Sequence, residues 1–244
     1  MKPQFGKIAN AYSLGRRGYP DKIYEILTDK VGAESFVLDL GCGTGIATRE
    51  LSAYFESVTG VDFDKGMIKA AENDNDQEIP YFVAKTKELP FPDNYFDLVT
   101  AFGSFHWFAD NDSIAEIQRV LKPKGTFAVI NKNDKNEVRS IFSEVVGSFK
   151  GAEKIGTNNR QYRPKTILVE HGFDSVEKVI FSVSEKCSLK RVLQLVQSWN
   201  SWSYLSKEEA EKALLLLKDR YESLLVDGFL TREIKIGLVT GQKV

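Results

Sequence analysis

Through the first 150 residues, short apolar bursts alternate with amphipathic stretches. Phe36–Leu40 (FVLDL), 58–61, 80–83, 96–101 and 126–130 are brief apolar runs with the length and composition of buried strands. Between them, 44–55, 65–72, 112–121 and 137–149 space their apolar positions as helices do. Strands alternating with helices predict an α/β fold, a doubly wound and mostly parallel sheet covered on both faces. Right-handed crossovers then bring the C-terminal ends of the strands to one edge, where ligands collect.

After Lys150 the pattern changes. The stretch KGAEKIGTNNRQYRPK (150–165) is rich in Gly, Asn and Arg and predicts a loop. Residues 176–184 are a strand candidate, and Ser206-x-x-Glu209 is a capping-box pattern opening a helix with Ala210, Leu214, Leu217, Tyr221 and Leu224 on one face. In 230–239, Leu230, Arg232, Ile234, Ile236 and Leu238 alternate onto one side, which predicts a half-exposed antiparallel strand. The expectation is a seven-stranded sheet with an antiparallel last strand and helical lid elements, in a single domain 1–244. Its core would be 1–132, with lid helices and the last two strands in 133–244.

Composition narrows the partners. Lys and Arg number 33 against 34 Asp and Glu, a net charge of −1, so nothing draws the chain to nucleic acid or an anionic membrane. Two cysteines, Cys42 and Cys187, make no disulfide framework, and two histidines make no His-rich metal cage, so no metal is expected. The longest aliphatic run, 213–217, is far short of a bilayer span, and the opening MKPQFGKIAN lacks the apolar core of a secretory signal. A cytoplasmic monomer or homodimer, without membrane or nucleic-acid partners, is the expectation.

The sharpest chemistry lies in VLDLGCGTG (37–45), an apolar strand running through G-x-G-x-G into a helix. Glycines let the backbone turn tightly and approach a ligand closely. The dinucleotide fingerprint would need glycine where Ile46 stands. Asp62 ends the second strand 21 residues after Gly41, an offset at which an acid accepts hydrogen bonds from ribose hydroxyls. Asp39, inside an apolar strand, is costly to bury without a partner, and a ligand ammonium would be one. Each feature also has a plain structural reading: a tight turn, a helix cap from Asp62 or Asp64, a carboxylate satisfied by backbone. Their combination, in this order and spacing, favours a ligand site.

Strand–DLGCGTG–helix, then VDFD, then LPFPDNYFDLVTAFGSFHWF (89–108), resembles the class I S-adenosylmethionine-dependent methyltransferases that act on small molecules. That group includes ubiquinone/menaquinone, biotin-pathway and trans-aconitate-type enzymes. The likeness runs motif by motif over 1–132. Beyond it, SWNSWSYL (198–205) is similar to the trans-aconitate-type branch, as is the opening Phe5, Ala11, Tyr12, Arg17, Gly18, Tyr19, Pro20. The resemblance implies a Rossmann-like methyltransferase fold and S-adenosyl-L-methionine as cofactor. Gly41, Gly43 and Gly45, with Cys42 among them, would lie under its methionine and ribose portion. Asp39 would hold the amino group, Asp62 the ribose hydroxyls, and Phe63 the adenine face, with Met67 in the same set. Thr86 and Lys87 would flank the adenine edge, and Phe102, Gly103 and Ser104 would line the sulfonium. Tyr12 and Arg17 would close over the carboxylate, which suits a guanidinium fork.

Two positions depart from the family's pattern. Lys85 stands where relatives carry an acid that accepts from the adenine amine, and a lysine only donates. A backbone carbonyl or Glu88 must serve instead, or affinity falls. Lys124 replaces a glycine in the family's L-x-P-G-G turn, a change that a surface turn is expected to tolerate.

The implied activity is methyl transfer to a small molecule, with a carboxylic acid as the leading acceptor. The alternatives are C-methylation of a quinone-type ring, or a cofactor-binding domain without turnover. A carboxylate nucleophile needs no base, whereas a hydroxyl or carbon acid does. His106, just past the fourth strand, is the candidate catalytic residue, either base or substrate partner, unless it only packs among aromatics. Phe105, His106 and Trp107 would face the acceptor, with Trp199, Trp202 and Tyr204 as a lid or as core packing. Two segments, 12–19 and 198–205, would order on cofactor binding. Arg160 and Arg163 would bind an acidic substrate or simply sit in a solvated loop, and His171 reads as a surface turn residue.

Overall fold

The computed structural model describes residues 15–75, 78–133, 136–150 and 162–244. Strand β1 is Phe36–Leu40, and β2 (Ser57–Asp62), β3 (Tyr81–Val83) and β4 (Phe96–Phe102) follow close to the expected positions. Then come β5 (Leu121–Asn133), β6 (Asp174–Ser188) and β7 (Phe229–Gln242). Among the described residues the helices are α1 (Asp21–Val31), α2 (Ile46–Leu51), α3 (Lys65–Asn73), α4 (Asn111–Val120) and α5 (Glu137–Lys150). They continue as α6 (Pro164–Glu170), α7 (Leu189–Gln197) and α8 (Lys207–Glu222).

The seven strands form one mixed sheet in the order β3-β2-β1-β4-β5-β7-β6, its last strands antiparallel. β1 pairs in parallel with β2 on one side and β4 on the other, and β2–β3 and β4–β5 are parallel too. β1 and β4 at the centre are buried almost throughout, as a sheet covered on both faces requires, whereas β3 at the edge is largely exposed. Strand order reverses at β1, and in open α/β sheets that switch point opens a crevice at the strands' C-terminal ends.

Some boundaries depart from expectation for identifiable reasons. The helix expected over 44–55 is only α2, because its start is taken up by the glycine turn. Leu121, expected to end a helix, begins β5: it pairs with Phe96, then the register shifts so that Leu98 faces Thr126. The intervening LKPKG loops out with Lys124 at φ 65°, a left-handed conformation that a side chain resists. Part of the expected 150–165 loop lies outside the described residues, and Pro164 starts α6. Neither α1 nor α7 is among the expected helices, although α7 buries Val192, Leu195 and Val196 at helical spacing. The capping box at Ser206 and Glu209 is formed, and β7 turns Leu230, Arg232, Ile234, Ile236 and Leu238 inward as its alternation implies.

The chain divides into two compact units. One takes 18–131, 160–180 and 237–244, within the described residues, around a core of Leu38, Leu40, Phe96, Val99, Phe105 and Phe127 among others. The other takes the described parts of 1–17, 132–159 and 181–236, around α5, α7 and α8. In that unit Tyr221 donates its hydroxyl to the Val138 carbonyl at 2.9 Å, and the Phe142 ring stands edge-on to Trp199 at 4.6 Å.

Candidate functional site

The strand-to-helix turn after β1 is built from three left-handed glycines, Gly41, Gly43 and Gly45 at φ 67°, 57° and 76°. Gly41 is needed for space as well, since a Cβ there would stand 2.5 Å from that of Ser104, just past β4. The Gly41 and Cys42 amides donate to the Val61 carbonyl at 2.8 and 3.0 Å, which ties the turn to the end of β2. The Ser104 hydroxyl donates to the Leu40 carbonyl at 2.7 Å, so the ends of β1, β2 and β4 converge here.

Two carboxylates are buried beside this turn. Asp39 is 1% exposed and accepts from the hydroxyls of Thr48 (2.7 Å) and Thr100 (3.0 Å), the latter directly opposite it across the β1–β4 register. Burial pushes its carboxyl up to about 7, against the pull of those two hydroxyls, and the charge of Asp62 adds to the rise. Asp62 is 8% exposed and accepts from the Gly43 amide at 3.0 Å and the Asp64 amide at 2.9 Å. Burial raises its pKa too, while those backbone donors lower it. The helix-cap role falls to Asp64, whose side chain accepts from the Gly66 and Met67 amides of α3. Among the described residues no cation pairs with Asp39 or Asp62. Buried carboxylates ordinarily have a positive partner, so the pair presents an unmet demand for positive charge. Thr44, in the same turn, buries a hydroxyl oxygen with no hydrogen-bond partner.

Phe63, next to Asp62, is half exposed, as a ring free to cover a planar ligand would be, whereas Met67 is buried in α3. The turn after β3 closes through the Glu88 amide on the Lys85 carbonyl at 3.0 Å. Thr86 shares a hydrogen bond with Ser113 at 3.0 Å, and Lys87 reaches Asp110 and Asp112 at 3.1 and 3.0 Å, so both are tethered to the start of α4. Lys85 and Glu88 are exposed.

Past β4, Phe105 is fully buried against Phe108, Phe127 and Tyr162, a core position for a residue expected to face substrate. His106 and Trp107 are exposed, their rings 4.7 Å apart, and Tyr162 lies 5.9 Å from His106. Phe102 is covered by Tyr19 at 4.8 Å and Tyr24 at 5.8 Å. His171 caps α6, its ring nitrogens beside the Ile167 carbonyl and the Asn111 amide oxygen at 2.8 and 3.1 Å.

In the other unit Arg17 pairs with Glu185 at 3.2 Å, and Glu185 also holds the buried Arg232 at 2.8 Å. Trp199 is 6% exposed, edge-on to Phe142 with the Arg139 guanidinium over its ring, while Trp202 is partly buried against the same core and Tyr204 accepts from the Asn200 side-chain amide at 3.2 Å. Tyr12 and Arg160 lie outside the described residues, and Arg163 precedes α6. Among the described residues no cluster of His, Cys, Asp and Glu fits a metal ion, and no helix is long and apolar enough to cross a membrane.

Sequence reasoning brought Asp39, Asp62 and the glycines together, as the structure does. It missed Thr48 and Thr100. Thr100 had a signal, as a lone hydroxyl in the apolar strand FDLVTAF, but only the register places it opposite Asp39.

Comparison with known proteins bears on this geometry. Residues 38–129 match the model of the family described as Methyltransferase domain. An uncharacterized methyltransferase of Schizosaccharomyces pombe is 29% identical over 82% of this chain and 80% of its own. The malonyl-[acyl-carrier protein] O-methyltransferase of Buchnera aphidicola is 27% identical over 67% of this chain and 74% of its own. Among solved structures, the phosphoethanolamine N-methyltransferase 2 of Haemonchus contortus in complex with S-adenosyl-L-methionine superposes with a TM-score of 0.57. Identity there is 19%, over 98% of this chain and 57% of that one, a likeness of fold.

Proposed function

We propose that the chain, whose residues 38–129 match the methyltransferase-domain family, is a class I S-adenosylmethionine-dependent methyltransferase that transfers the cofactor's methyl group to a small carboxylic acid. The observation that carries the cofactor is the pair Asp39 and Asp62, buried beside three left-handed glycines with no cation paired to them among the described residues. S-adenosylmethionine is cationic at its ammonium and sulfonium and carries a ribose diol, groups that two carboxylates beside one turn can receive. The residues therefore fit the group: Asp39 toward the ammonium, Asp62 toward the diol, Phe63 toward the adenine, and Thr44 with an oxygen still to be satisfied.

When bound, the cofactor supplies an electrophilic methyl group on sulfur. The chain's own work is placement and the exclusion of water. The glycine turn lets backbone lie close beneath the ligand, and the hydrogen bond from Ser104 to Leu40 locks the ends of β1 and β4 into one wall. Within 102–108 the single ordinary proton acceptor is His106, and a carboxylate acceptor asks for no base there. The Buchnera relative, named for O-methylation of a malonyl group, supports the same acceptor chemistry.

Incubation with methyl-labelled S-adenosylmethionine and a panel of small carboxylic acids tests this reading. The expected product is a methyl ester, from which mild alkali releases labelled methanol. Label that survives alkali, on carbon or nitrogen, would overturn the acceptor assignment and leave the cofactor assignment standing.

A further inference from the structure

One carboxylate outside the glycine turn joins three elements around the end of β4. Glu50 lies near the end of α2, the helix that begins at Gly45. Its Oε2 accepts from the Tyr19 amide at 3.0 Å and from the Tyr24 hydroxyl of α1. The contact with the lead-in is close, since a Cβ on Gly18 would fall onto the Glu50 carboxylate as it stands. Both tyrosines held this way pack on Phe102, Tyr19 edge-on and Tyr24 stacked, and Tyr54 stacks on Tyr24 at 5.2 Å. The Tyr19 hydroxyl ends 3.3 Å from where a Cβ on Gly103 would stand. Gly103 is the residue beyond β4, at φ 65°, and it precedes the Ser104 that presses on Gly41.

A path of rigid contacts thus runs from the glycine turn through α2 to Glu50, across to Tyr19, and back onto Phe102 and Gly103. We propose that Glu50 is a positioning residue, which holds Tyr19 over Gly103 so that the tyrosine ring walls the methyl-bearing end of the cofactor site. This rests on the cofactor reading above and adds to it a residue with no likeness to a known motif behind it. Burial and the neighbouring Glu50 charge both raise the Tyr24 pKa, so its phenol stays a donor throughout the working range. The carboxylate therefore always has two donors to grip. A glutamine keeps an acceptor oxygen for both; an alanine keeps none.

The test combines calorimetric titration of S-adenosylhomocysteine with hydrogen exchange of the unliganded protein. Glu50→Ala should weaken binding about 10-fold or more and remove exchange protection at the Tyr19 amide, while Glu50→Gln should stay within about 3-fold. Tyr19→Ala should weaken binding to a similar extent, and the double variant should bind no worse than the poorer single, because Glu50 acts through Tyr19. Tyr24→Phe, which keeps the ring on Phe102, should change affinity little. Additive losses, or unchanged affinity in Glu50→Ala after Tyr19 protection is gone, would overturn the proposal. So would a Tyr24→Phe variant that reproduces the whole loss. If the wild type takes up no S-adenosylhomocysteine, the cofactor reading itself falls, and Tyr19's role as a wall falls with it. Exchange in Glu50→Ala then still shows whether the carboxylate holds the lead-in.

Discussion

Burial of Asp39 in β1 ties the stability of the folded chain to pH. Desolvation pushes its carboxyl up to about 7 from an ordinary 3.8, so between those values the folded state holds a proton that the unfolded chain has released. The folded state binds more protons, hence stability should fall as pH rises from about 4 through 7, by a few kcal/mol in all. Asp39→Asn, which cannot ionise, should flatten that fall and raise the melting temperature at pH 8, while weakening S-adenosylhomocysteine binding about 10-fold or more. Melting curves at pH 5 and pH 8 check it, and a variant as pH-sensitive as the wild type would contradict it. Asp62 and Asp64 separate in the same way. Asp64→Ala removes the α3 cap and should cost about 1 kcal/mol of stability with affinity kept. Asp62→Ala should cost a few kcal/mol of cofactor binding, because ribose hydroxyls lose a charged acceptor in a buried site. If Asp62→Ala lowers only the melting temperature, Asp62 is structural.

At the level of elements, the turn between α4 and the main run of β5 carries its own strain. Lys124 sits at φ 65° within LKPKG, and its amide donates to the Lys243 carbonyl at 3.0 Å, so the conformation is held from outside. Lys124→Gly should relieve it and stabilise the chain by roughly 0.5–1 kcal/mol, after the glycine's greater freedom when unfolded is subtracted. Chemical denaturation measures this, and a loss of stability would show the lysine is not strained. Trp199 makes the opposite case: buried against Phe142 and Arg139, it should cost about 3–5 kcal/mol when truncated to alanine. A smaller loss would favour the lid reading of 198–205. Much of the strand pattern was legible because buried parallel strands are short apolar runs, as in FVLDL. The glycine turn and Asp62 were legible because each breaks such a run at its end. Leu121 was misread because its pairing with Phe96 depends on a register shift that local periodicity cannot express. Glu50 and Thr48 were invisible for a related reason: on α2 they look like ordinary helix polar residues, and only tertiary packing brings Tyr19, Tyr24 and Asp39 to them.

For the whole molecule, the balance of 33 basic and 34 acidic residues hides a local imbalance. Two buried carboxylates, with no cation beside them among the described residues, gather negative charge in one small region next to the left-handed glycines, and on the proposed reading a positively charged ligand meets it there. A nicotinamide dinucleotide is anionic at its pyrophosphate and wants the helix-forming glycine that Ile46 replaces. Calorimetric titration of the wild-type protein with S-adenosylhomocysteine, and with NAD in parallel, therefore decides most. Saturable one-to-one binding of S-adenosylhomocysteine with no heat from NAD is the result expected here. Binding of NAD with none of S-adenosylhomocysteine would contradict it, and would leave Asp39 and Asp62 buried without a reason.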